Sequence, residues 1–151
     1  MSRRQEITMS EVEIAAFLDR QLFAVVGTIG PSGFPHLATL GFTREGTSVV
    51  CTSYASSQKV KNLERDPRVS VLVEVTSPYS EVRGVLGYGT ATVVDDPPRV
   101  AAAARAVLLR ARSGGESQEI PLDDLAPKRR LIVVDVGRWI SWDHRKLGGA
   151  Y

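Results

Sequence analysis

Four consecutive residues, Gly30-Pro31-Ser32-Gly33, set the first limit on what this chain can fold into. They separate two apolar, β-branched-rich runs, 22–30 (LFAVVGTIG) and 35–43 (PHLATLGFT). Each is a turn residue for its own reason: glycine tolerates positive φ, proline presets φ, and serine bonds back to nearby backbone. A connection this short joins strands only as an antiparallel hairpin, because a parallel pair needs a crossover of a dozen or more residues. Arg44-Glu45-Gly46 repeats the device, and 48–53 returns as a third strand, so this part of the chain reads as a meander.

Two further strands are expected at 69–75 and 81–94, and a last one at 131–142. Gly84, Gly87 and Gly89 lie inside the fifth strand, where glycine marks a bulge, a bend or a close approach by backbone or ligand; a barrel bend is the favoured reading. Ser10 and Glu13 form a possible capping box for a first helix ending near 19–21. A second helix starts at Ser56 or Ser57 and stops at Asp66-Pro67, and a third runs from Asp95-Asp96-Pro97-Pro98 to Arg112. Residues 113–127 read as a polar loop. Six strands in hairpin order with about three helices predict one domain over 1–151, mainly β: a closed or partly split six-stranded antiparallel barrel. The first, fourth and fifth strands are apolar on nearly every residue, so both of their faces need cover. One face fills the barrel; the other is expected to meet a second copy in a homodimer.

The 151 residues are 43% hydrophobic and 24% charged, an ordinary globular composition. No apolar run approaches the roughly 20 residues of a membrane span, and the N-terminus carries acids where a secretion signal would be apolar. The expected location is cytoplasmic, with no membrane partner. Cys51 is the only cysteine and reads as a buried small hydrophobe, and His36 and His144 lack a metal-ligand spacing, so no metal site is expected. The 19 basic and 17 acidic residues are interspersed, which argues against nucleic acid as a partner.

A nucleophile elbow, a P-loop, a dinucleotide fingerprint and a zinc deaminase signature are all absent. GTIGPSG leads into a hairpin rather than a helix, and Asp123-Asp124 reads as a solvated pair. The informative segment is SSQKVKNLERDP, 56–67. Lys59 and Lys61 crowd the first turns of a helix whose N-terminus is already partly positive, an arrangement costing roughly 0.3–1 kcal/mol unless an anion joins it. Ser53 and Tyr54 end the strand just before this helix, and His36 and Thr39 on the neighbouring strand could face the same groove, which would suit a flat, phosphorylated ligand.

TIGPSGFPHLATL, TSYASSQKVKNLERDPRVSVLVE, GYGTATVVDD and ISWDHRKLGG together resemble the pyridoxamine-phosphate-oxidase-like split β-barrel superfamily, and within it the actinobacterial flavin and deazaflavin oxidoreductases of the B type. The resemblance implies a homodimer with its cofactor in a groove at the subunit interface. It implies that Lys59, with Ser57 and Gln58, contacts the cofactor phosphate. His36, Ala38 and Thr39 would line the ring, Ser53 and Tyr54 the ribityl chain, and Arg83 and Trp142 would close the groove. The implied activity is hydride transfer from coenzyme F-420 to a small conjugated organic acceptor, with Lys59 the stronger phosphate ligand and Lys61 solvated. An FMN-dependent oxidase or reductase is the first alternative, since this chain has Ser57 where some F-420 users carry a basic residue. A haem, bilin or coenzyme carrier without turnover, with His36 or His144 as axial ligand, is the second.

Overall fold

The computed structural model describes residues 2–111 and 120–148. Six antiparallel strands close into a barrel: β1 (Phe23–Ile29), β2 (Pro35–Glu45), β3 (Ser48–Tyr54), β4 (Arg68–Val75), β5 (Arg83–Val94) and β6 (Arg129–Asp143). Their order around the barrel is β1-β2-β3-β6-β5-β4. Gly33 (φ 85°) turns the first hairpin and Gly46 (φ 59°) the second, where Glu45 pairs with Ser48 and the β2 strand outlasts its expected end at Thr43.

Alternation along each strand sends one set of side chains inward. Ala24 and Val26, Phe42, Val49 and Cys51, Val71 and Val73, Val85, and Ile132 and Val134 form one buried core, ten or so side chains from all six strands. Two helices stop the ends. The helix α1 (Arg3–Glu6) precedes α2 (Glu11–Arg20), which opens on the capping box of Ser10 and Glu13 and inserts Ile14, Phe17 and Leu18 into the core. At the other end α3 (Gln58–Arg65) inserts Val60 and Leu63. A fourth helix, α4 (Pro97–Ala111), lies outside the barrel, where Val100, Ala101 and Ala103 pack on Val50 and Leu131. Asp96 accepts from the backbone N–H of Arg99 as its N-terminal cap. Its far end is tied down by Arg110, which donates to the carbonyls of Phe42, Leu18, Asp19 and Gln21.

Three expectations change. The reading of 113–127 as loop fails at its second half, because α5 (Leu122–Leu125) and a 3-10 turn at Ala126–Lys128 bury Ala126 against α4; Arg112 and residues 113–119 lie outside the described residues. Asp123 and Asp124 are exposed on α5. The expected fifth strand from 81 starts at Arg83, since Tyr79–Glu81 forms a 3-10 turn. The glycines of β5 have two roles rather than one. Gly89 sits at the register shift opposite Val136, where a Cβ would stand 2.1 Å from the carbonyl oxygen of Asp135. Gly84 and Gly87 instead make room for indoles: a Cβ would lie 2.6 Å from Trp142 and 2.7 Å from Trp139.

The outward face of β1, β4, β5 and the end of β6 carries an apolar row. Val25, Leu72, Leu86 and Ile140 are cross-strand partners in a single row, each half-buried, and Leu37 and Phe23 beside them are exposed. None of the helices in the described residues is long and apolar enough to cross a membrane.

Candidate functional site

The end of β3 and the start of α3 bring together a cation and two hydroxyls. Ser53 points into the barrel end and is 4% exposed. Its Oγ lies 3.0 Å from Oγ of Ser57 and accepts from Nζ of Lys59 at 3.2 Å. Ser57 is the N-cap residue of α3, but its hydroxyl turns to Ser53 and caps no backbone N–H, which corrects the expected serine cap. The first turn of α3 contains no acidic residue, and among the described residues Lys59 has no carboxylate partner. A positive helix end, open N–H groups, two hydroxyls and an ammonium thus converge without an anion. Lys61 is exposed and stands apart from this cluster.

The helix is held to the barrel by a polar chain that sequence reading missed. Asn62, fully buried, donates to Thr28 Oγ1 at 3.0 Å and accepts from Gln58 Nε2 at 2.7 Å. The signal was an asparagine between Val60 and Leu63, the two residues that enter the core. Gln58 is therefore spent on holding the helix and is exposed beside the cluster. Thr28 is the cross-strand partner of His36, whose Nδ1 is buried with no hydrogen-bond partner. Ala38 pairs with Val26 on the same inward face.

Period-two alternation separates what the sequence had grouped. Thr39, three residues from His36, faces outward and is exposed, so the two do not line one face of β2. Tyr54 likewise faces away from Ser53. Its partner on β6 is Arg129, whose guanidinium stacks 4.6 Å from the Tyr54 ring centroid and donates from Nε and Nη2 to Thr52 at 3.2 Å each. Arg129 also went unread; its signal was the Arg129-Arg130 pair at the head of the last strand, obscured by placing that strand's start at 131. The neighbouring Arg130 pairs with Asp95 at 3.1 Å.

Arg83 and Trp142 are elsewhere. Arg83 pairs with Asp143 across β5 and β6, bonds Glu81 at 3.0 Å and lies 5.9 Å from the Phe17 ring. Trp142 packs on Gly84. Twelve residue steps of β6, a contour of roughly 40 Å at about 3.3 Å each, separate Arg130, opposite Ser53, from Trp142, so within one chain Arg83 and Trp142 lie at the opposite end of the barrel from Lys59.

The described residues match known proteins along nearly their whole extent. A family model described as pyridoxamine 5'-phosphate oxidase matches residues 10–143. A crystal structure of a conserved hypothetical protein from Mycobacterium tuberculosis is 36% identical, with a TM-score of 0.85, covering 100% of this chain and 95% of that one. A structure described as an F420 reductase is 25% identical, with a TM-score of 0.65, covering 82% of this chain and 93% of the other. A FAD-binding protein from Mesorhizobium loti shares the fold at a TM-score of 0.68 and 15% identity, over 89% of this chain and 94% of that one. A search of the curated proteins found no match.

Proposed function

The chain belongs to the pyridoxamine 5'-phosphate oxidase family, and from that premise we propose that it is an oxidoreductase that binds coenzyme F-420 and passes hydride to a small conjugated organic acceptor. The observation that carries this reading is the cluster of Lys59, Ser53 and Ser57 at an uncapped helix start. It fits a cofactor phosphate on four counts: charge, two hydroxyls, free N–H groups and, among the described residues, the lack of a competing carboxylate. The similarity to a protein described as an F420 reductase supports the choice of coenzyme.

The coenzyme, when bound, supplies the hydride-carrying carbon. Everything else falls to the chain. Lys59 neutralises phosphate while Ser53 and Ser57 orient it. Tyr54, backed by Arg129, offers a flat wall to the ribityl chain at the barrel rim. Thr39 meets the ring on the outward face of β2, while His36 holds its unpartnered Nδ1 on the inward face at the barrel end. The proton that accompanies hydride comes from Tyr54, His36 or solvent. Arg83 and Trp142 reach this site from a second copy, docked through the half-buried apolar row of Val25, Leu72, Leu86 and Ile140. FMN is the second reading, favoured by one observation: with Ser57 at the cradle, a single lysine meets the phosphate, enough for a cofactor without an anionic tail.

Titration of purified protein with F-420 and with FMN tests this. F-420 is expected to bind more tightly than about 100 μM, roughly −5.5 kcal/mol, and Lys59→Ala to weaken it at least about tenfold, the loss of one charge-assisted bond. FMN binding more tightly than F-420 moves the conclusion to the second reading. Failure of both to bind below that concentration overturns both.

A further inference from the structure

A cavity of about 350 Å³ lies between α4, α5 and the outward face of β2 and β3. Small residues create it: Ala104 on α4 leaves the space, and Gly41 on β2 lets Val107 settle where a Cβ would meet it at 2.6 Å. Leu108 and, from α5, Leu122 and Leu125 complete apolar walls. The volume is that of a small-molecule site. Thr39 lies on its floor and Arg129 at its edge, so it adjoins the residues placed beside the ring and ribityl chain above.

Its chemistry differs from what the family's description suggests. Among the described residues Arg129 is the one charged side chain on its lining. Two of its three nitrogens are committed to Thr52 and its plane to Tyr54, while Nη1 has no partner among the described residues. That leaves one donor edge, fit for a single carbonyl, carboxylate or sulfonate. A phosphate dianion needs several charged or N–H donors and here would face alkyl walls, at the cost of burying an unpaired charge.

We infer that this cavity is the acceptor site, and that its substrate is a largely apolar, unphosphorylated molecule bearing one oxygen acceptor or anionic group that meets Arg129. This rests on the hydride-transfer reading for the word acceptor, and on the cavity alone for the class of ligand.

The probe is anilinonaphthalene sulfonate, an apolar fused ring with one anionic group, titrated into the full chain by fluorescence. Saturable binding at one site per chain is expected. Ala104→Phe fills the cavity and should weaken binding at least about tenfold, and Arg129→Gln roughly five- to tenfold. Leu37→Glu, on the exposed outer face, should leave it within about twofold, and millimolar pyridoxine phosphate should not displace the probe. If Ala104→Phe does not fold, Leu122→Trp fills the cavity from the opposite wall. Binding that survives the folded filling variant, that disappears in Leu37→Glu, or that yields to pyridoxine phosphate overturns the inference. The measurement needs no coenzyme, so loss of F-420 and FMN binding with the probe still held in the cavity defeats the functional reading and leaves the ligand class standing.

Discussion

Nζ of Lys59 donates to Oγ of Ser53 at 3.2 Å, so among the described residues the ammonium's hydrogen-bond partner is a neutral hydroxyl beside a positive helix end. Folding alone gains nothing from that charge, so a change that improves the helix should harm the ligand site. Ser57→Asp supplies the missing cap, a carboxylate at the α3 N-terminus within reach of Lys59. Stability should rise by about 0.5–1 kcal/mol, a melting shift of roughly 1–4 °C for a chain this long. F-420 and FMN affinity should fall at least about tenfold, because the carboxylate occupies the phosphate's place and repels it. Thermal melts and titrations on the same sample check both signs; higher stability with unchanged affinity would place the phosphate elsewhere.

Cys51 lies two residues before Ser53 on the inward face of β3 and is 1% exposed. Burial pushes its thiol up to about 12, with the nearby Lys59 charge pulling the other way. At pH 8 about one molecule in ten thousand carries the thiolate, the reactive form. An aromatic disulfide reagent should leave the folded chain unmodified over an hour and titrate one thiol per chain after denaturation. Rapid labelling of the native protein would mean that the barrel end at Ser53 opens far more readily than its packing implies.

The barrel was legible because its evidence is local. Gly33 and Gly46 announce tight turns, and the β-branched runs between them carry their own direction and length. The Ser10–Glu13 box and the Asp96 cap lie within three residues of their targets, so helices α2 and α4 could be placed from sequence. The site was legible only in part. The cluster at 53–59 is a local constellation, and its three partners appear in order in the sequence. The Tyr54–Arg129 stack depends on pairing β3 with β6 across 74 intervening positions, about which turn chemistry says nothing. Grouping His36 with Thr39 overlooked that an odd separation on a strand reverses the face. That Arg83 and Trp142 lie at the opposite end of the barrel from the Lys59 of their own chain follows from the length of β6, which only the register reveals.

Asp143 should make the far end of the barrel acid-sensitive. It is 4% exposed, and Arg145 donates to its two oxygens from Nε at 2.9 Å and Nη2 at 2.6 Å, with the Arg145 backbone N–H at 3.1 Å. Those bonds, against the opposing effect of burial, hold its carboxyl below the usual carboxylate range, with the Arg83 charge assisting. A lowered native value means that the stabilisation is complete above the unfolded value of about 4 and is lost as pH falls through the native one. Asp143→Asn should cost about 1–3 kcal/mol at pH 7 and progressively less below pH 4. Melting temperatures of the two proteins from pH 7 to pH 2 should therefore converge; parallel curves would show that Asp143 adds no pH dependence. Asp66, drawn down to about 2 by Arg68, pairs on the open surface and should contribute little.

The row Val25–Leu72–Leu86–Ile140 offers the last test, because it ties the oligomeric state to the site. Burying a leucine of this row in a symmetric contact contributes roughly 2 kcal/mol from each copy, and a glutamate in its place adds the cost of a desolvated charge. The parent chain is expected to be a dimer by light scattering, and Leu86→Glu should therefore give a monomer at the same concentration. The variant residue lies on the outward face of β5, away from the Lys59 cluster, and its side chain does not enter the barrel core. F-420 affinity should nevertheless fall, since Arg83 and Trp142 stand roughly 40 Å along β6 from the residue opposite Ser53. A monomer that binds F-420 as tightly as the dimer would mean that one chain holds the whole site and that Arg83 and Trp142 serve only the barrel end they pack against.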